Sequence, residues 1–300
     1  MRDVARRAKP RTESGLTGAW PVPLLVCMAL LLALPATAVA ARSNVAALQV
    51  ALRAKGVYSG TVDGIRGPLT RAGVRRLQAR AGLAADGIAG PRTRSALGWR
   101  GRPRLGTRLI RSGRRGWDVA ALQFLLATRG FPAGPIDGEF GPRSVAALQR
   151  FQAWAGLAAD GLAGPGTLAA VRRPPPRSIL SFAAPLPIAP TDRFGPRGDT
   201  FHTGIDYPAS AGTPVAAAGR GCVASAGYDG GGYGNLVVIQ HRLGMTSLYA
   251  HLDRISVRRG TCLVAGHQIG TVGSTGRSTG PHLHFELRLR GAAVDPLSGL

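Results

Sequence analysis

Gly280-Pro281-His282-Leu283-His284-Phe285-Glu286-Leu287-Arg288-Leu289 alternates polar and apolar residues from His282 onward. That is the period of a β-strand with one face turned to a core. Side chains two positions apart share a face, so His282, His284 and Glu286 point one way while Leu283 and Phe285 point inward. A solvated strand face would carry the same polar residues, and this strand alone defines no site. Two upstream segments add chemistry: His202-Thr203-Gly204-Ile205-Asp206 and Tyr249-Ala250-His251-Leu252. The first follows the turn-rich stretch from Asp192 to Gly198 and precedes Tyr207-Pro208-Ala209, which suits a strand entered from a loop. Four of the chain's six histidines lie in these three segments.

A hydrolytic zinc site takes three protein ligands and leaves one position for water. One aspartate and two histidines from these segments supply such a set, and two histidines remain for proton transfer. The inventory points to metal-assisted hydrolysis; the bland alternative is ordinary surface histidines beside an unrelated aspartate.

Further stretches narrow the choice. They are Phe194-Gly195-Pro196-Arg197, Gly212-Thr213-Pro214-Val215, Gly232-Tyr233-Gly234-Asn235, and Gly273-Ser274-Thr275-Gly276 leading to His284-Phe285-Glu286. With these motifs in this order and spacing, the segment from Asp192 to Leu300 resembles the lysostaphin-type zinc endopeptidases that cut peptidoglycan peptides. The resemblance implies a zinc ion (Zn2+) held by His202, Asp206 and His284, with His251 and His282 as the two catalytic histidines. His241 ends an apolar strand and reads as structural, and His267 lies in a turn and reads as solvated. Glu286 reads either as an orienting partner of the ligands or as a plain surface carboxylate.

The formal net charge is +23, almost all of it from arginine, with lysine only at Lys9 and Lys55. So basic a chain calls for an acidic partner. The arginines are spread along the chain with no nucleic-acid-binding signature, so nucleic acid is not expected. A polyanionic bacterial wall, peptidoglycan and other anionic wall polymers, agrees with the histidine motifs. The N-terminus reads as an export signal over residues 1–40. Basic residues from Arg2 to Arg11 precede an apolar core from Leu24 to Leu34, then the small-residue sites Ala36-Thr37-Ala38 and Ala38-Val39-Ala40. The apolar core is short for a span of about twenty residues. An uncleaved anchor would need residues 36–41 as well, so no stable anchor is expected, and the protein is expected to be secreted and wall-associated. Cys27 lies inside this core, where Val26 makes a poor lipid-attachment box. Past the leader, Cys222 and Cys262 form an even pair that reads as a disulfide in an exported domain.

Val45-Ala46-Ala47-Leu48-Gln49 recurs as Val119-Ala120-Ala121-Leu122-Gln123, and one ungapped offset also maps Asp63-Gly64 onto Asp137-Gly138 and Gly90-Pro91 onto Gly164-Pro165. This is a tandem duplication. Each copy reads as three helices: in the first, residues 44–55 capped by Ser43, a second from Pro68 to near Gly82, and a short third from Pro91. The Asp-Gly-x-x-Gly-Pro turn resembles that of the three-helix peptidoglycan-binding domain of wall hydrolases.

The fold class expected is multidomain: two small all-α three-helix domains, then a mostly antiparallel β zinc peptidase domain. The expected segments are repeat 1 at 43–99, a linker at 100–116, repeat 2 at 117–172, a Pro-rich linker at 173–181 and the peptidase domain at 182–300. Strands are expected at 213–215, 221–224, 235–240, 246–250, 268–272 and 282–289. The function expected is a secreted zinc endopeptidase of bacterial peptidoglycan. Its alternative is a catalytically silent wall-binding regulator of another hydrolase, which a missing ligand would mark.

Overall fold

The computed structural model describes residues 36–300. The leader expected over residues 1–40 thus lies mostly outside the described residues, and its small-residue sites fall at the start of the first helix. Repeat 1 contains α1 (Ala36–Ala54), α2 (Pro68–Arg80) and α3 (Pro91–Ala96); repeat 2 contains α4 (Trp117–Thr128), α5 (Pro142–Trp154) and α6 (Pro165–Val171). Proline opens α2, α3, α5 and α6, where its missing N–H costs nothing. Among the described residues no helix is long and apolar enough to cross a membrane.

One clip recurs four times. Gln49 Nε2 donates to Asp63 Oδ1 at 2.7 Å, while its Oε1 accepts from the Gly64 N–H at 2.9 Å. Gln78, Gln123 and Gln152 repeat this on Asp86-Gly87, Asp137-Gly138 and Asp160-Gly161. All four glutamines are buried. Each amide therefore locks the turn that its repeat uses to enter the next helix.

The repeats are not beads on a string. Every α4 residue from Trp117 to Ala127 is buried, as expected of a helix surrounded on all sides. Trp117, Ala121 and Phe124 join the core of repeat 1, while Val119, Leu122 and Leu126 belong to that of repeat 2. One expectation, the start of the first helix, changes. Helix α1 begins at Ala36, eight residues before Asn44. Ser43 is buried inside it and donates back to the Ala40 carbonyl at 2.9 Å instead of capping, a bond serine makes readily within helices. Residues 100–116 join the two copies and are themselves packed: Ile110 is buried, and its backbone bridges to Ala163.

The C-terminal half consists of β1 (Gly195–Arg197), β2 (Thr200–His202), β3 (Ile205–Pro208), β4 (Pro214–Ala216), β5 (Gly221–Asp229), β6 (Gly234–Gln240), β7 (Met245–Ile255), β8 (Cys262–Leu263), β9 (Gln268–Val272), β10 (His282–Leu289) and β11 (Ala292–Val294). β1 and β2 form a hairpin, and the other strands make one nine-stranded sheet with the order β11-β10-β7-β6-β5-β8. Its pairings are antiparallel, with β3 on the first half of β10 and β9 bridging β4 to β7. The inward face of β10, Leu283, Phe285 and Leu287, is fully buried in one cluster with Ile205, Val237 and Tyr249. β9 and β10 span the expected residues; β5 and β7 run further, and β1, β2, β3, β8 and β11 are too short to show a period. Cys222 faces Cys262 across the β5–β8 pair, and the two are joined in a disulfide.

All described residues fall in one compact unit. The Pro-rich stretch leads into main-chain bonds from Phe182 N to Gly299 O at 2.7 Å and from Ala183 N to Ala218 O at 2.7 Å. The repeats dock directly on the β domain. Val62 of repeat 1 donates its N–H to Gly198 O at 2.8 Å, and Ile136 of repeat 2 donates to Asp199 O at 2.7 Å. These are equivalent positions of the duplication, and they hold consecutive residues of the β1–β2 turn. Trp154 Nε1 donates to Leu289 O at 3.1 Å. Gly130 takes a positive φ of 83° and lies so close to β11 that a Cβ would sit 2.1 Å from the Ala293 carbonyl oxygen.

Candidate active site

β10 is the axis of the site because it has a partner on each side at His284. There His284 faces Asp206 of β3 and Ala250 of β7. β2 ends at His202, opposite Gly195. His202 Nε2, Asp206 Oδ1 and His284 Nδ1 converge: Nε2 to Oδ1 is 3.1 Å, Nε2 to Nδ1 is 3.1 Å and Nδ1 to Oδ1 is 2.8 Å. Tetrahedral ligands bound at 2.0–2.2 Å stand roughly 3.3 Å apart, close to this triangle.

The protons on these rings are set by their outer partners. His202 Nδ1 lies 3.0 Å from the Arg193 carbonyl, which can only accept, so the proton is on Nδ1 and Nε2 presents a lone pair. In His284 the order reverses: Nε2 faces Glu286 Oε1 at 3.0 Å, which leaves Nδ1 as the bare nitrogen. Two lone pairs and a carboxylate oxygen thus face each other with no donor between them. The donor set fits a cation, and in a His/His/Asp environment zinc suits it. Where no cation lies there, a proton takes its place: burial disfavours a charged His284, yet Asp206 and Glu286 outweigh it and push its pKa up to about 9, so Nδ1 then donates to Asp206. Burial would raise the Asp206 carboxyl, but the neighbouring His202 and His284 drive it well below the usual carboxylate range.

Both carboxylates are held from behind by arginine. Arg197 bonds Asp206 Oδ2 at 2.8 Å and also pairs with Asp192, leaving Oδ1 as the inward atom. Glu286 is fully buried; its Oε1 accepts from Thr203 Oγ1 and from the Tyr233 hydroxyl at 2.8 Å, and its Oε2 from Arg288 Nε at 2.7 Å. Burial opposes its charge, but His284 and Arg288 bring its pKa down to about 2.

His251 and His282 stand beside the triangle with ring centroids 4.8 Å apart. His251 Nδ1 donates to the Thr275 carbonyl at 2.8 Å, and His282 Nδ1 to the Gly280 carbonyl at 2.8 Å. Each ring keeps Nε2 as a free acceptor. Burial, followed by the neighbouring histidines, lowers the His251 pKa, so its neutral form prevails at neutral pH. His251 sits at φ 61°, a left-handed conformation costing on the order of 1–3 kcal/mol in a non-glycine residue. Its N–H is anchored on the Tyr233 carbonyl at 2.8 Å.

All five histidine and aspartate positions line one cleft of about 610 Å³. Its walls are the loops around Gly232 and around Arg277 to Pro281. These loops can meet only because Gly234 and Gly276 lack side chains: a Cβ on either would lie 2.4 Å from the other loop's backbone. Glu286 corrects the surface-carboxylate reading, being buried under Tyr233 and Thr203. His241 is buried, with Nδ1 on Arg220 O at 2.8 Å and Nε2 2.7 Å from Ser247 Oγ, outside the cleft. His267 is exposed. Arg197, Thr203, Tyr233 and Arg288 were not singled out as site residues. Arg197, Thr203 and Tyr233 lie inside the quoted motif stretches, and Arg288 is the next residue on the polar face of β10.

Residues 200–296 match the model of peptidase family M23. Residues 41–97 and 115–171 each match that of a peptidoglycan binding domain. Lipoprotein NlpD of Yersinia enterocolitica is 45% identical over 92 residues, 31% of this chain and 94% of that protein. The chain belongs to peptidase family M23. The M23 domain is 54% identical over 97 residues to the DD-carboxypeptidase/endopeptidase Mpg of Neisseria meningitidis serogroup B, covering 32% of this chain. The match spans 22% of the Neisseria protein's own length. The solved catalytic domain of lysostaphin from Staphylococcus simulans is similar at 34% identity and a TM-score of 0.32, covering 40% of this chain and 87% of that one.

Proposed function

We propose that the chain is a zinc-dependent endopeptidase that hydrolyses peptide bonds of bacterial peptidoglycan at the wall, outside the cell, with its two repeats holding the polymer. The observation that carries this reading is the convergence of His202 Nε2, Asp206 Oδ1 and His284 Nδ1 beside the rings of His251 and His282 in one open cleft. His202, Asp206 and His284 hold the metal. Bound zinc supplies Lewis acidity, polarising the scissile carbonyl and bringing the pKa of water toward ~7.

His251 and His282 do the proton work. Their free Nε2 atoms accept a proton from the attacking water and return it to the departing amine, and a protonated ring stabilises developing negative charge. The backbone carbonyls of Thr275 and Gly280 fix which nitrogen is free. Glu286 and Arg197 aim the ligands and take no part in proton transfer.

The test is digestion of purified sacculi by the full chain, with zinc and after chelation, with released fragments identified by mass spectrometry. Zinc-dependent release of cut peptides is expected. Wall binding without release, or release unchanged by chelation, overturns the reading; the first outcome marks a silent regulator.

A further inference from the structure

The two copies of the duplication differ at one place where they would be expected to agree. In repeat 2, Val119, Leu122, Phe140, Ala163 and Leu168 close on Ile110 in a single buried cluster. The same offset maps Phe140 onto Arg66 and Leu168 onto Arg94, while Val45, Leu48 and Ala89 keep the apolar floor. Where repeat 2 has core, repeat 1 has a cavity of about 250 Å³. Arg66, Arg94 and Arg104 line it, with Trp117 as one wall and Leu48 as part of its floor.

The lining contains no aspartate or glutamate. Among the described residues, none of the three guanidinium groups makes an ion pair or donates a side-chain hydrogen bond. Arginines that line the chain's other built sites are paired, Arg197 with Asp206 and Arg288 with Glu286, whereas this cavity gathers three with no carboxylate among its lining residues. Arg66 and Arg104 are exposed and Arg94 half-buried, so water screens part of their repulsion, and three like charges converging on so small a space still make it attractive to an anion. Trp117 is nearly buried and its Nε1 is held on Asn44 Oδ1 at 2.9 Å, so its ring is a fixed apolar wall. Arg104 and Trp117 come from beyond repeat 1, so only the fused pair of repeats completes the cavity.

We propose that this cavity is a binding site for an oxyanion, a carboxylate or a phosphate ester, carried on a chain whose carbon skeleton packs against Trp117 and Leu48. Arginine forks match both groups with paired hydrogen bonds. That the ligand belongs to the bacterial wall rests on the wall-binding reading above; the oxyanion site itself does not.

Calorimetric titration of the full chain tests it with two probes: a muropeptide with free carboxylates, and a poly(glycerol phosphate). Saturable binding of at least one probe is expected, and the tighter probe names the source. Replacing Arg66, Arg94 and Arg104 by Gln should weaken that binding on the order of tenfold or more, since losing even one charge-assisted bond costs about a factor of ten. Arg66→Phe with Arg94→Leu, which installs the residues of repeat 2, should do the same without opening a void. A control replacing exposed Arg111, Arg173 and Arg177 by Gln removes equal charge and should keep the affinity. Equal loss in the control, or no saturable binding of either probe, overturns the site. Neither outcome bears on peptide hydrolysis, which the sacculus digestion reads separately.

Discussion

His251 is held in a backbone conformation that its side chain disfavours, between the Tyr233 carbonyl and the Thr275 carbonyl. That arrangement keeps the ring at the triangle without making it a member. Substitution should therefore split the five residues. His202→Ala, Asp206→Ala and His284→Ala are each expected to lower zinc content, whereas His251→Ala and His282→Ala should keep most metal and lose roughly 10²–10⁴ in turnover. Metal analysis beside a hydrolysis assay reads both; full zinc in the Asp206 variant would reassign that residue. Glu286→Gln makes a finer test. The amide no longer guarantees an acceptor for His284 Nε2–H and leaves the Arg288 guanidinium without its counter-charge. A loss of 10–100-fold in zinc affinity is expected, measured by competition with a chelator. The polar face of β10 was legible because a strand's period is local. Tyr233, Thr203 and Arg197 were not, since they reach the site from other strands and loops and follow no shared period.

Helix starts at proline could be read residue by residue, because proline's fixed φ acts locally. The start of α1 could not: tertiary packing against α4, not a cap, sustains its first turns. The glutamine clips were equally hidden, since an amide in a helix looks like any surface glutamine until the turn it bonds is folded beside it. Gln123→Leu strips Asp137 and the buried Gly138 N–H of partners. A loss of about 2–3 kcal/mol is expected from the unpaired groups, read as a lower urea midpoint. On the β side, burial lowers the His241 pKa below its ordinary 6.5. The folded state then binds fewer protons than the unfolded chain, so stability is present above pH 6.5 and lost as pH falls toward the folded pKa. Urea midpoints taken on either side of pH 6.5 should fall less on the acid side in His241→Gln than in the parent. An equal fall would place the acid-sensitive group elsewhere.

At the scale of the molecule, the repeats and the M23 domain share surfaces that no pattern in either announces. The tightest is Gly130 against Ala293. Gly130→Ala imposes a side chain at positive φ, costing about 1–2 kcal/mol, and drives its Cβ into the β11 carbonyl. The second repeat should then loosen from β11 while each core survives. Limited proteolysis is expected to cut sooner between residues 172 and 182, and an unchanged cleavage rate would show that the contact contributes little.

Val62 and Ile136 grip adjacent carbonyls, so the duplication ends in a two-pronged hold on Gly198 and Asp199. Both prongs are main-chain groups, indifferent to side-chain identity, which leaves the two copies free to diverge elsewhere while the grip persists. The gripped turn leads through β2 directly into His202. A pull on either repeat is thus delivered as load to the strand that carries a ligand of the candidate metal centre, so strain in a bound polymer and the geometry of that centre share one lever.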